Sequence, residues 1–444
     1  MTKYTPIIGL EVHAELKTKS KMFCGCKNDP FGADKPNIYT CPVCLGMPGA
    51  LPLPNQIAID WTIKLGLALG CTINQFSKFD RKNYFYADLA KGYQISQYDI
   101  PFCINGLIKT SQGDIGITRI HLEEDTGKLI HDEINGEAVS LIDFNRSGVP
   151  LIEIVTEPDI INGEQTKEYG QKLRQILRYL NIADCKMAEG GLRLEANISL
   201  QKPDKTSLPP YKVEVKNINS FKFLEQAINY EIERQTEILD QGKVPVQETR
   251  GWNPNKGETF SQRTKEAAED YRYFPDPDIP PIEISNEHLA SIKNTIPELP
   301  AVKIERWQQE YQLETANAHQ LATEIIKADW VDSVFKLALD DKIELNELAK
   351  AIINKKIQTN IEEPAAAVIK KYQQLHQTDS IDGDELNQIV QAVLTNNPDA
   401  VAKFKAGKVQ IVGFLIGQIM QQAKKKLDPK LVRQILMSAL EQTT

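Results

Sequence analysis

Cys24-x-Cys26 and Cys41-x-x-Cys44 are two close thiol pairs separated by 14 residues rich in Gly, Pro and Asn. Four soft thiolates brought together by one loop form a tetrahedral S4 shell that suits zinc. Such a shell is closed, so it leaves no position for a catalytic water, and the zinc expected here is structural. The bland alternative is a set of free loop thiols. Cys71, Cys103 and Cys185 are isolated in apolar surroundings and read as small core residues. Seven cysteines without a secretion signal argue against a disulfide framework.

A second chemistry is written in carboxylates. In Ile8–Leu16, Glu11, His13 and Glu15 alternate with apolar residues, so a strand would point all three to one face. Arg119–Lys128 is more acidic still, with Glu123, Glu124 and Asp125 adjacent. Neighbouring carboxylates repel unless they are hydrated or share a cation. Oxygen ligands with an occasional histidine suit Mg2+, which is usually held together with substrate phosphates. An exposed acidic strand end is the plain alternative.

Several further runs are dense in polar groups without surface periodicity. They are Asp80–Tyr86 with Lys91–Gln97, Asp143–Glu153, Gly190–Asn197, Glu214–Ser220, and Glu248–Arg250 with Asp270–Phe274. Lysines and arginines in such runs could neutralise phosphate oxygens while acidic groups hold metal. Singly, each is better read as a structural salt bridge. Together, on short strands, they suggest phosphoryl transfer without a phosphate-binding loop, because neither G-x-x-x-x-G-K-[ST] nor G-x-G-x-x-G occurs.

The elements that must position these groups can be read from periodicity. Thr5–Leu16, Ile115–Glu123, Ala138–Phe144, Leu192–Leu200 and Lys212–Lys216 alternate like half-buried antiparallel strands. Gln56–Leu69, Gln165–Leu180 and Phe221–Gln241 carry helical stripes. Irregular interleaving predicts an α+β fold and not a parallel βαβ array. The Pro-rich Phe274–Pro281 segment should continue neither element and should close the first domain. Beyond Pro300 helices dominate: Lys303–Tyr311, Thr315–Ala328, Trp330–Leu339, Leu345–Lys356, Pro364–Gln374, Gly383–Leu394, Pro398–Lys405, Lys408–Lys425 and Pro429–Gln442. Domains are expected at 1–293, 294–378 and 379–444.

Composition sets the outer limits. A chain of 444 residues, 41% hydrophobic and 25% charged, fits a soluble protein of two or three domains. No apolar run is long enough to span a membrane and no signal peptide is visible, so a cytoplasmic protein without a membrane partner is expected. A net charge of −8 argues against composition-driven nucleic-acid binding. Yet Val401–Thr444 carries eight Lys/Arg against two acidic residues, including Lys424, Lys425 and Lys426. That asymmetry suggests either an RNA-facing tail or a solvated helical face.

These motifs, taken in order, resemble the GatB/GatE family, the B-subunits of aspartyl/glutamyl-tRNA(Asn/Gln) amidotransferases. Ile8–Leu16, the Cys-Pro-x-Cys-x-Gly-x-Pro-Gly segment, Arg81–Tyr86, Gly92–Gln97, His121–Gly127, Pro150–Pro158, Lys216–Ser220, Glu248–Trp252 and Asp270–Pro281 carry the resemblance, which covers nearly the whole chain. The resemblance implies a glutamine synthetase-like cradle on an antiparallel sheet, a helical domain and a tRNA-binding tail. It implies a heterotrimer in which an amidase subunit releases ammonia from glutamine and a small third subunit braces the other two. It implies a ligase that uses ATP and Mg2+ to convert Glu-tRNA(Gln) or Asp-tRNA(Asn) to the amide. By motif match Glu11, His13 and Glu124 are the Mg2+ site. A flat strand would turn Glu124 away from Glu123, so either a bend lies there or Glu123 is the ligand. Catalytic roles are expected for Lys82, Lys91, Glu153, Arg193, Glu195 and Lys216. ATP or substrate contacts are expected from Asn83, Tyr86, Gln94, Asn145, Arg146, Asn197, Asn217 and Arg272, and tRNA contacts from Lys424, Lys425 and Lys426. The chain departs from the family pattern at Glu195, where Asp is usual, and at Ala87 and Ala90, where prolines are common. A tRNA-binding scaffold without catalysis is the competing class, and a stand-alone zinc hydrolase fits poorly.

Overall fold

The computed structural model describes residues 3–205, 207–264, 270–377, 381–425 and 427–442, with only the backbone at 217, 263, 264 and 442. Lys426 and the side chain of Asn217 therefore lie outside the described residues. Two compact units result, Met1–Arg306 with Ala322–Ile325, and Trp307–Leu321 with Ile326–Thr444.

The first unit carries β1 (Thr5–Glu15), β2 (Thr72–Ile73), β3 (Phe76–Ser77), β4 (Asp80–Asn83), β5 (Tyr93–Ser96), β6 (Cys103–Thr110), β7 (Gly113–Glu124), β8 (Lys128–Ile134), β9 (Glu137–Asp143), β10 (Pro150–Thr156), β11 (Leu192–Gln201), β12 (Val213–Ile218), β13 (Glu248–Asn253), β14 (Glu258–Thr264), β15 (Phe274–Pro275) and β16 (Ile282–Glu283). Its main sheet runs β14-β13-β12-β11-β1-β10-β7-β6-β2. All neighbours in it are antiparallel except β12 and β13. The fold is thus mixed α/β with an antiparallel-rich sheet. The single parallel pair, β12–β13, is joined by the helix Phe221–Asp240 as one crossover within a sheet that is otherwise antiparallel.

Alternation decides which face each strand buries. On β1, Ile8, Leu10, Val12 and Ala14 are fully buried, whereas Glu11, His13 and Glu15 point the other way. Burying each large aliphatic side chain contributes roughly 1.5–3 kcal/mol, so a one-residue slip of register is strongly disfavoured. The apolar side packs α1 (Gln56–Ala68), α2 (Gly163–Tyr179) and α3 (Phe221–Asp240), with Ile63, Leu173, Leu177, Leu224 and Ile228 in one core with the strands. Asn55, Asn162 and Ser220 cap these helices by accepting first-turn backbone N–H groups.

The Pro-rich closing segment does contribute structure. Phe274–Pro275 pairs with β4, and Ile282–Glu283 pairs with β3. Proline survives there because an edge strand has one side free of ladder bonds.

In the second unit, Trp307 donates to Asp332 Oδ1 at 2.8 Å and packs edge-on against Phe335 at 5.9 Å. The expected helix boundary near Asp329 is absent. Thr315–Leu321 ends earlier, and one helix runs Ile325–Asp340. Among its later helices, Leu386, Val390, Leu415, Ile419, Val432 and Leu436 form a separate buried cluster. No helix among the described residues is long and apolar enough to cross a membrane.

Candidate active site and metal centre

The sheet face opposite the helices gathers the charged residues, and strand register explains why. His13 on β1 faces Glu153 on β10 and Arg193 on β11. Glu153 in turn faces His121 on β7, and Glu11 faces Glu195 on β11. Asn197 faces Glu214 on β12. Residues directly opposite on adjacent strands share a face.

Two carboxylate clusters result. In the first, His13 Nε2 lies 3.3 Å from Glu153 Oε2 and 3.8 Å from Glu123 Oε1. His121 Nε2 lies 3.2 Å from Glu153 Oε2 and 3.6 Å from Glu123 Oε2. Ser96 Oγ donates to Glu123 Oε2 at 3.1 Å. In the second, carboxylate oxygens of Glu11, Glu195 and Glu214 lie within 4.8 Å of one another. Lys216 Nζ is 2.9 Å from Glu195 Oε2 and 3.2 Å from Glu214 Oε1. Asn197 Nδ2 donates to Glu11 Oε1 at 2.8 Å, and Thr249 Oγ1 donates to Glu214 Oε2 at 2.9 Å. His121 Nδ1 and Asn197 Oδ1 are buried without a hydrogen-bond partner. Buried polar atoms without a partner call for an explanation, and an ion or ligand held beside the carboxylates is one.

Electrostatics follow from this crowding. Burial opposes charge on His121, but Glu153 and Glu123 outweigh it and push its pKa up to about 9. Burial also opposes the rise at His13, which the Glu153 hydrogen bond and charge carry. Lys82 is raised against its burial by Glu123, Glu153 and Glu11, so its ammonium belongs to the field of the first cluster. Lys216 is raised, against burial, by Glu195 and Glu214. Beside them Arg193 binds Asp125, with Arg146 Nε 3.8 Å from the same carboxylate. Burial and the Asp125 charge push Glu15 up to about 8.

Glu124 points to the other side of β7. Its Oε1 is 2.5 Å from Lys91 Nζ and accepts the Ile95 N–H at 3.1 Å. Gln94 donates to the Glu124 carbonyl at 2.6 Å. Glu124 therefore belongs to neither carboxylate cluster.

The four thiols of the cysteine loop lie within 4.8 Å of one another, with Cys41 and Cys44 Sγ 3.9 Å apart. Sulfurs around one zinc with ~2.3 Å bonds sit at about this spacing, so the donor set fits. The Cys44 pKa is pulled down to about 5, chiefly by Cys24, with help from nearby Lys21 and the Cys41 backbone N–H. Lys21 is fully buried, and its Nζ is 3.8 Å from Cys44 Sγ. Gly148, at φ +83°, donates its N–H to the Asp125 carbonyl, and a Cβ added there would meet the Cys44 Cβ at 3.5 Å. The left-handed conformation favours glycine at this position.

Residues 6–290 match the GatB/GatE catalytic domain, and residues 290–440 match the GatB domain. The chain belongs to the GatB/GatE family. It is 43% identical to the aspartyl/glutamyl-tRNA(Asn/Gln) amidotransferase B-subunit of Dehalococcoides mccartyi (strain ATCC BAA-2266 / KCTC 15142 / 195), over 100% of both chains. It is 44% identical to the proteins of the same name from Caldanaerobacter subterraneus subsp. tengcongensis and Caldicellulosiruptor saccharolyticus, over 99% of each chain.

For a GatB/GatE member, the remaining expected site residues are placed unevenly. Asn197 joins the second cluster. Asn145 is spent on the cysteine loop, accepting from Tyr39 N–H and donating to the Lys35 carbonyl, both at 2.8 Å. Arg146 donates to the Thr126 and Gly127 carbonyls. Asn83, Tyr86 and Arg272 line one cleft. Lys424 ends a helix in the left-handed conformation, and Lys425 pairs with Glu385 at 2.9 Å. His121 and Glu214 were not among the expected site residues. The signal was available, since His121-x-Glu123 and Glu214-x-Lys216 each share a strand face.

Proposed function

We propose that this chain uses ATP to activate the aminoacyl carboxylate of Glu-tRNA(Gln) or Asp-tRNA(Asn) and then amidates it. tRNA-dependent amidotransferase function, a ligase activity forming carbon–nitrogen bonds with glutamine as amido donor, is that of the family. Assigning the activation step to this chain rests on one observation. Glu11, His13, Glu123, Glu153, Glu195 and Glu214 come from β1, β7, β10, β11 and β12 to one face of one sheet.

A carboxylate resists ammonia because resonance protects its carbonyl and oxide is a poor leaving group. Transfer of the ATP γ-phosphoryl to a carboxylate oxygen breaks the bond to ADP and forms an acyl phosphate. Ammonia then adds to the carbonyl carbon, a proton leaves, and the C–O bond to phosphate breaks. Lys82 and Lys216 are placed to offset charge on the transferring phosphoryl. Glu11, His13, Glu123, Glu153, Glu195 and Glu214 would hold Mg2+, which when bound neutralises phosphate oxygens. What supports Glu123 over Glu124 as a ligand is that Glu123 groups with His13 and Glu153, whereas Glu124 joins neither cluster. In this reading the sheet is the floor of a glutamine synthetase-like cradle spanning 1–293. The cysteine loop carries structural zinc. Residues 294–378 and 379–444 are helical domains, the last touching tRNA through Lys424–Lys426. Ammonia comes from the amidase partner in a heterotrimer that a small third protein braces.

The purified chain alone, given free ammonia, ATP and Glu-tRNA, should form the amide only when ATP is present. Glutaminase activity by the isolated chain would contradict the assignment.

A further inference from the structure

β6 pairs with β7 only as far as Cys103 opposite Ile120. On the other edge β10 follows β7 to its end, with Pro150 opposite Glu124. The last turn of the ladder is therefore open on one side, although Leu122, Glu123 and Glu124 are all buried. Buried backbone groups need partners, and here side chains from β5 and the residue after it supply them. Gln97 Oε1 accepts the Leu122 N–H at 3.0 Å, and Gln94 Nε2 donates to the Glu124 carbonyl at 2.6 Å. Gln97 Nε2 donates in turn to Ser77 Oγ at 2.6 Å, which ties the segment to β3.

This seam sets Ser96 against Glu123. Ser96 Oγ donates to Glu123 Oε2 at 3.1 Å, and both residues are at most 2% exposed. Ser96 is nearer to that oxygen than His121 Nε2, at 3.6 Å. The other oxygen, Oε1, faces His13 Nε2 at 3.8 Å. Rotation about the last bond of a glutamate is broad, so the torsion itself does not choose which oxygen faces the cluster. A hydroxyl held on one oxygen does. Gln94 lies opposite Lys82 and Ser96 opposite Asp80 across the β4–β5 pair. The same seam thus docks the strands that carry Lys82 onto the strand that carries Glu123.

We propose that Ser96 is a positioning residue for the divalent cation: its hydroxyl holds Glu123 Oε2, so that Oε1 is the atom offered beside His13 and Glu153. This rests on the proposed function and deepens it by naming what aims one ligand. Carboxylates that bind metals are themselves hydrogen-bonded, and losing such a partner costs about 10–100-fold in affinity.

The test uses the assembled amidotransferase and Mn2+ alone, with free Mn2+ read by electron paramagnetic resonance. Ser96→Ala, Glu123→Gln and the double variant are compared with wild type, after gel filtration confirms assembly. Ser96→Ala should weaken Mn2+ binding about tenfold, and Glu123→Gln at least as much. In the Glu123→Gln background, Ser96→Ala should cost no more than about twofold further, because it acts through that carboxylate. In amidation assays Ser96→Ala should raise the half-saturating Mg2+ concentration about tenfold while KM for Glu-tRNA stays within about twofold. Wild-type Mn2+ affinity in Ser96→Ala beside a weakened Glu123→Gln would overturn the proposal. So would equal losses in both backgrounds, or failure of the Ser96→Ala complex to assemble. Undiminished Mn2+ binding by Glu123→Gln would instead overturn the metal site of the proposed function beneath it.

Discussion

His13 on β1 and Glu153 on β10 face each other across the ladder, with Nε2 and Oε2 3.3 Å apart. His121 approaches the same oxygen at 3.2 Å from β7. Two strands thus aim histidines at one carboxylate on a third, and a fourth side chain, Glu123, completes the group. Glu123→Gln keeps the shape and removes the charge. The half-saturating Mg2+ concentration for amidation should rise about 10–100-fold. Glu124→Gln should leave Mg2+ dependence near wild type. The reverse ranking would move the site to the other side of β7.

Lys91 and Glu124 form a largely buried pair. Losing one partner strands a charge, at about 3–5 kcal/mol. Lys91→Met and Glu124→Gln should each lower stability in urea unfolding, and combining them should cost clearly less than the sum. Strict additivity would show that the pair does not couple.

The cysteine loop should bind Co2+ or Zn2+ more tightly as pH rises. Cys44, near 5, is already a thiolate at neutral pH, whereas desolvation raises Cys26 to about 11 and its proton must leave on binding. Each displaced proton steepens affinity by about tenfold per pH unit. Cobalt absorption titrations between pH 6 and 8 would read this. Equal affinity across that range would mean that these thiols are not the ligands.

Stability of the chain in chelator should fall between pH 6.5 and 9. His121 gains a pKa of about 9 in the fold, above its ordinary value of 6.5. Its contribution, up to about 3 kcal/mol, is fully present below pH 6.5 and lost as pH rises through 9. Glu15, raised to about 8, works in the same direction, because the folded state keeps a proton that the unfolded state has released. Glu153 and Asp125 are depressed, so they matter only at acid pH. Melting curves at pH 6.5 and 9 that coincide would refute the assignment.

Much of this was legible in the sequence because period-two alternation and register are the same information. Glu11, His13 and Glu15 shared a face in prospect and share it in fact. Helices α1, α2 and α3 lie within two residues of their stripes at each end. What escaped depends on pairing between distant strands. Glu153 was expected as a catalytic residue, but β10 is buried on both faces and lacks alternation, so its place between His13 and His121 emerges only once β10 lies between β1 and β7. Glu214 reaches Glu11 only through the bulged β11–β12 pairing. Strand alternation puts Glu123 and Glu124 on opposite faces, but the Lys91 partner of Glu124 comes from a loop no local pattern could place. Asn145 looked like a ligand contact and instead ties down the cysteine loop.

Oxygen tracing tests the central claim most directly. Glu-tRNA labelled with 18O in its side-chain carboxylate is amidated by the assembled complex with ATP and glutamine. Phosphoryl activation predicts one labelled oxygen in the released inorganic phosphate for each amide formed, with ADP as co-product. Label in AMP, or unlabelled phosphate alongside full amidation, would contradict it.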